Sequence, residues 1–148
     1  MSLEVTITEA IKTAMREKDR VALDALRAVK SQILLLKTEA LGAEVSAEQE
    51  IAILQRMIKQ RKDSYEQFKA QNRDDLAEVE EAQSKVIEKF LPAQLSPEEL
   101  ETEIKSIITE VGAESIKDLG KVMGVASKSL AGKSDGKSIS AMVKQLLS

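Results

Sequence analysis

The chain has 148 residues, of which 43% are hydrophobic and 32% charged, with a formal net charge of −3. That balance suits one globular domain or two small ones, burying roughly two thirds of the unfolded surface. Cysteine and histidine are both absent, which excludes disulfides, a thiol nucleophile, a zinc site of the usual ligands and a histidine general base. A negative chain has no whole-molecule basic field for nucleic acid, so any such binding must rest on a local patch.

The N-terminus, MSLEVTITEAIKTAMREKDR, is amphipathic and mixed in charge, unlike a signal peptide. The apolar run Ile33–Leu36 is far too short to span a membrane. These features give the expectation of a cytoplasmic protein with no membrane partner, although a chain without cysteine carries no redox signature.

In chain order, residues 4–18 carry Val5, Ile7, Ile11 and Met15 at mostly helical spacing, and Asp19 breaks the pattern. Residues 20–41 repeat it with Leu23, Leu26, Val29, Ile33, Leu34 and Leu41, and Gly42 is a candidate C-cap. Ser46 and Gln49 form a capping box that opens a third helix, running to about Ala70 with Ile51, Leu54, Ile58, Tyr65 and Phe68 as its stripe. Asn72 is expected to cap a fourth helix, with Asp74 and Asp75 where the dipole favours anions, running through Leu76, Val79, Val86 and Ile87 to Phe90. Pro92 ends it.

In LPAQLSPEEL, Ser96 is an N-cap, Pro97 takes the first helical position and Glu98 and Glu99 follow; this fifth helix ends at Gly112. Ser115 is expected to cap a sixth helix through Ile116, Leu119, Val122, Met123, Ala126 and Leu130, ended by Gly132. Asp135 caps the last, with Ile139, Met142, Val143, Leu146 and Leu147. No segment alternates with the period of a strand. The reading is an all-α fold in two parts: a bundle-like subdomain of about four helices over residues 1–91, and a small one of about three over residues 92–148.

The stretch LAGKSDGKS, Leu130–Ser138, fits a relaxed phosphate-binding loop. Such a loop needs a buried strand leading into it. The preceding KVMGVASKSL reads as helix, so the match is a turn between two helices. The acidic run Asp74, Asp75, Glu78, Glu80 and Glu81 could hold a metal in principle but reads as a solvated helix face. Ser127-Lys128 and Lys133-Ser134 are adjacent and point in different directions on a helix, so neither pair implies a dyad.

Two basic stretches remain. In QRMIKQRKDSYEQFK, Arg56, Lys59, Arg61, Lys62 and Lys69 interleave with Tyr65 and Phe68. Bases or phosphates could dock there, but a core stripe with a wet cationic side is the favoured reading. From Lys117 to Ser148, lysines 117, 121, 128, 133, 137 and 144 stand against Asp118 and Asp135, an excess of four positive charges. Gly120 and Gly124, four apart, leave one helix face bare for the close approach of another backbone. A neighbouring helix is the favoured occupant and a nucleic-acid backbone the alternative. The candidate nucleic-acid-binding residues are Gly120, Lys121, Gly124, Lys128, Lys133, Gly136 and Lys137.

LPAQLSPEEL, GAESIKDLGKVMG and LAGKSDGKSISAMVKQLL together resemble the GatB/YqeY family, over essentially the whole chain. The resemblance implies an all-α fold whose C-terminal part is similar to the tail domain of the B subunit of the tRNA-dependent amidotransferase, a domain that helps hold tRNA. The family label implies a carbon–nitrogen ligase with glutamine as amide donor. The glutaminase and phosphorylating sites of that enzyme have no matching residues here, so no catalytic residue, cofactor or metal is expected. The motif positions carried over are Gly120, Lys121, Gly124, Gly136 and Lys137. The leading expectation is a non-catalytic accessory protein that binds tRNA or a tRNA-modifying or aminoacylation enzyme. The alternatives are a component of amide transfer on misacylated tRNA and a helix-docking interaction module.

Overall fold

The computed structural model describes residues 2–42 and 44–148. Their elements are α1 (Leu3–Glu17), α2 (Arg20–Glu39), α3 (Ala47–Ala70), α4 (Asp74–Glu88), α5 (Pro97–Val111), a single 3-10 turn (Ile116–Asp118), α6 (Leu119–Ser129) and α7 (Gly136–Leu147). No strand occurs among the described residues, and the protein is all-α. None of these helices is long and apolar enough to cross a membrane. Internal contacts gather in two units, Met1–Leu91 and Pro92–Ser148.

In the first unit, α1 packs on α2, and α4 packs on both α3 and α2. Connections of two and three residues favour antiparallel neighbours, and the Glu4–Lys37 and Arg61–Gln83 contacts show α1–α2 and α3–α4 to be antiparallel hairpins. The core joins Leu3 and Ile7 of α1, Leu26, Val29 and Ile33 of α2, Leu54, Met57 and Ile58 of α3, and Ile87 of α4. Ala14, Ala25 and Ala77 are also buried, small residues that let helices approach closely. Lys37 and Glu4 tie α2 to α1 at 2.7 Å. Both are partly exposed, so the pair contributes no more than about 1 kcal/mol.

The apolar stripes differ from the sequence expectation. Val5, Met15, Leu34 and Leu41 are 48%, 55%, 44% and 95% exposed, and Leu76 and Val79 on α4 are also exposed. Val5 and Ile7 are about 200° apart on a helix, so they cannot both face one core. Ile7 is inside, and Ala14 rather than Met15 continues the face. In α3 the inward face is Ile53, Leu54, Met57 and Ile58, with Tyr65 and Phe68 only half-buried.

Helix ends follow local chemistry. Asp19 accepts from the Ala22 amide at 3.1 Å and starts α2. Ser46 and Gln49 form the expected capping box. Asn72 does not cap α4; it closes α3 in the left-handed conformation at φ 59°. The Arg73 amide there donates to the Phe68 carbonyl at 2.8 Å. Asparagine suits both roles, and this six-to-one closure decides between them. Arg73 then precedes α4 without a side-chain cap, pairing with Asp75 at 3.3 Å.

In the second unit, α5, α6 and α7 each pack against the other two. Leu100, Ile104 and Ile107 of α5 meet Val122 and Ala126 of α6 and Ile139, Val143 and Leu147 of α7. Ser96 and Glu99 box the start of α5, and Gly112 closes it at φ 69°. Ser115 caps the 3-10 turn rather than α6 itself. The sixth helix is therefore shorter than its sequence pattern, with Ile116 outside it and 47% exposed.

Burial separates residues that look alike in sequence. Ile87 is fully buried and Val79, two turns earlier on α4, is 42% exposed. Ile87→Ala should cost about 2–5 kcal/mol, whereas Val79→Ala should stay within about 0.5 kcal/mol, measured by urea unfolding.

Candidate nucleic-acid interface

The basic region from Lys117 to Lys144 is built on the 3-10 turn, α6, the following turn and α7. Val122 and Ala126, both fully buried, point α6 at the core. Gly120 and Gly124 lie on the opposite side of the same helix, and Lys121 and Lys128 flank them at about 100° per residue. A β-carbon built on Gly120, Gly124 or Gly136 meets nothing within 4 Å. The favoured expectation of a neighbouring helix at Gly120 and Gly124 is corrected to this extent: no helix of this chain packs there. Burial of the opposite stripe turns them outward, and the bare surface is open.

All six lysines, 117, 121, 128, 133, 137 and 144, are exposed. None of the ion pairs seen among the described residues uses them; the only lysine paired in this unit is Lys105, with Glu101 at 3.1 Å. The six differ in what explains them. Lys128 and Lys144 stand in the last turns of α6 and α7, where a cation complements the helix dipole. Lys121 and Lys137 stand in first turns, where the dipole disfavours a cation; no acid lies within either turn, and the N-cap acids Asp118 and Asp135 precede them. Lys121 gains some attraction from Asp118, and an anion held over a helix start would favour a lysine at both positions.

The turn between α6 and α7 is held from a distance. Gln94 donates its amide to the Gly132 carbonyl at 2.5 Å and to the Pro92 carbonyl at 2.9 Å. The Leu95 amide donates to the Lys133 carbonyl at 2.9 Å. Gly132 is buried in the left-handed region at φ 78°, which lets the chain reverse there. Lys133 is thus anchored through its backbone with its side chain free to reach outward. Asp135 then accepts from the Ser138 amide at 2.6 Å and starts α7. LAGKSDGKS is a helix end, a turn and a helix start, so the phosphate-loop pattern has no strand behind it.

Asp118 closes the capping box of the 3-10 turn before α6: its carboxylate accepts from the Glu114 amide at 2.9 Å and the Ser115 amide at 3.4 Å. These bonds, Glu114 first, hold the Asp118 carboxyl below its ordinary range, and the charge of Lys121 adds to them. Glu99 is lowered likewise by its bonds with Ser96.

The second basic stretch, on α3, is largely absorbed by internal partners. Lys59 pairs with Asp63, Lys62 with Glu88 and Lys69 with Asp74. Arg56 donates to Gln32, and Arg61 to Gln83 and the Met57 carbonyl. Among the described residues no three acidic side chains are grouped so as to hold a metal ion. The sequence reading passed over another cationic group, Lys18, Arg20 and Arg27, which line one cleft. They are scattered across a helix break, and only the spacing of Arg20 and Arg27, two turns apart on α2, signals them.

The chain is an all-helical protein of two small units, with cations exposed on its helices. Residues 4–147 match the family model described as Yqey-like protein, and the chain belongs to that family. It is also similar to proteins named "Altered inheritance of mitochondria protein 41, mitochondrial". The Clavispora lusitaniae protein is 32% identical over 106 residues, 70% of this chain and 61% of the relative. The Meyerozyma guilliermondii protein is 41% identical over 91 residues, 58% of this chain and 44% of the relative. That of Pyrenophora tritici-repentis is 27% identical over 142 residues, 93% of this chain and 76% of the relative. The chain thus spans less than two thirds of the first two. These mitochondrial names overturn the expectation of a cytoplasmic protein. Its grounds were weak physically, because a chain without cysteine bears no mark of its redox compartment.

Two outcomes check this geometry. With open space at its β-carbon, Gly124→Ala should stabilise the chain by about 1 kcal/mol in urea unfolding, since alanine favours helix; a loss would mean that something packs there. Asp118 is more acidic folded than unfolded, so its contribution is present above the unfolded value, near pH 4, and is lost as pH falls through the folded one. Asp118→Asn keeps an acceptor but no titrating group. Its melting temperature should lie below that of the unsubstituted chain at neutral pH and fall less steeply in acid.

Proposed function

We propose that this chain is a non-catalytic accessory protein that binds tRNA, or a tRNA held on its enzyme, through the outer face of α6 and the first turn of α7. The observation that carries the reading is the pair Lys121 and Lys137. Both sit at helix starts, exposed and without an ion-pair partner among the described residues, beside glycines with open space above them. Exposed ammonium groups, bare backbone and a helix start together make a footprint for a phosphate backbone. The resemblance of the motifs in residues 92–148 to the amidotransferase tail domain, a domain that helps hold tRNA, implies the same kind of ligand. The names of the relatives direct the search for the RNA to mitochondria. Lys128, Lys133 and Gly136 extend the surface.

Each lysine–phosphate contact releases condensed counterions, so affinity should fall steeply with salt. Lys121→Ala/Lys137→Ala should weaken binding uniformly across tRNA sequences and flatten the salt slope by roughly one unit or less per lysine. Gly124→Leu should fold, because its side chain enters open space, and should obstruct binding. Filter binding over a salt series reads both. Unchanged affinity and slope in the double lysine variant would remove this surface as the contact. Binding insensitive to salt but lost in Gly124→Leu would instead mark a protein helix docked on the bare face.

A further inference from the structure

At the corner between α1 and α2 lies an open cleft lined by the apolar Ala14, Met15 and Leu23 and by the cations Lys18, Arg20 and Arg27. Asp24 is the one carboxylate lining it. The lining therefore carries an excess of two positive charges in a chain whose net charge is −3. The three cations are exposed, and none takes part in the ion pairs seen among the described residues, with Asp24 or otherwise. Of the neighbouring acids, Asp19 is engaged in capping α2, and Glu17 lies on α1 outside the cleft.

Arg20 and Arg27 share one face of α2, about 10 Å apart along its axis. Lys18 is fixed between the helices by a closed turn, in which the Asp19 amide donates to the Ala14 carbonyl at 2.9 Å. Guanidinium forks match phosphate oxygens in pairs and are less strongly hydrated than an ammonium. Buried Ala14 and half-buried Leu23 make part of the lining apolar. Arg20 is also the first residue of α2, where a cation opposes the dipole, so stability does not account for it.

We propose that this corner is a phosphate-binding cleft, separate from the lysine face of the second unit. Its ligand is the phosphate group, whether in an RNA backbone or in a free polyphosphate.

Amide NMR of the full chain at low salt tests it, with sodium pyrophosphate and a single-stranded RNA of about twelve nucleotides as separate probes. The amides of residues 18–22 and of Arg27 should shift. Shifts with pyrophosphate identify a free polyphosphate as sufficient; shifts with RNA alone identify the polymer backbone. Arg20→Gln/Arg27→Gln should weaken the effective probe by roughly tenfold or more. Arg20→Glu should lose the ligand yet melt no lower than the unsubstituted chain, since an acid suits a helix start. Lys121→Ala/Lys137→Ala should leave the corner shifts intact, so failure of the lysine face and failure of the cleft are distinct results. Absence of corner shifts with both probes, or shifts that survive in the double arginine variant, would overturn the proposal.

Discussion

The rotation of α6 about its own axis is the constraint on which the functional reading depends. Val122 and Ala126 are fully buried against α5 and α7, and no other rotation would keep both from water. Deleting buried methyl groups of this kind costs on the order of 1 kcal/mol or more each, while the exposed face opposite contributes little. Once those two residues are inside, Gly120 and Gly124 are outside and Lys121 and Lys128 border them. Core packing thus creates the surface, without any residue of the surface having to stabilise the fold.

The charge distribution of the second unit reinforces that orientation. α5 carries Glu98, Glu99, Glu101, Glu103 and Glu110 against Lys105 alone, while the region from Lys117 onward is lysine-rich. No ion pair joins the two groups among the described residues. With acids gathered on α5 and lysines from Lys117 onward, the unit would be turned by the field of a polyanion. The modest net charge of the whole chain hides this asymmetry.

Local chemistry was legible in the sequence; rotation was not. The capping box at Ser46, the N-cap at Ser96 and the glycine closure at Gly112 depend on three or four adjacent residues, and they stand where the pattern puts them. Asn72 was ambiguous because its short amide serves a helix start and a left-handed helix end equally well. The stripe of α1 was misread because alanine gives little hydrophobic signal of its own, so Ala14 was passed over for Met15; in α3 the inward residues passed over are Ile53 and Met57. At Gly120 and Gly124 the sequence showed bare backbone but not its direction, which only the opposite stripe decides. The Lys18, Arg20 and Arg27 group escaped because a turn brings it together. All-α architecture needed none of this detail, since helical period and caps recur along the chain.

Lysine acetylation footprinting of the full chain, with and without tRNA and read by mass spectrometry, tests the central claim most directly. The account predicts protection of Lys121 and Lys137, with Lys105 on α5 and Lys59 on α3 reacting equally in both samples. Protection of Lys105 or Lys59 with Lys121 and Lys137 still fully reactive would contradict it.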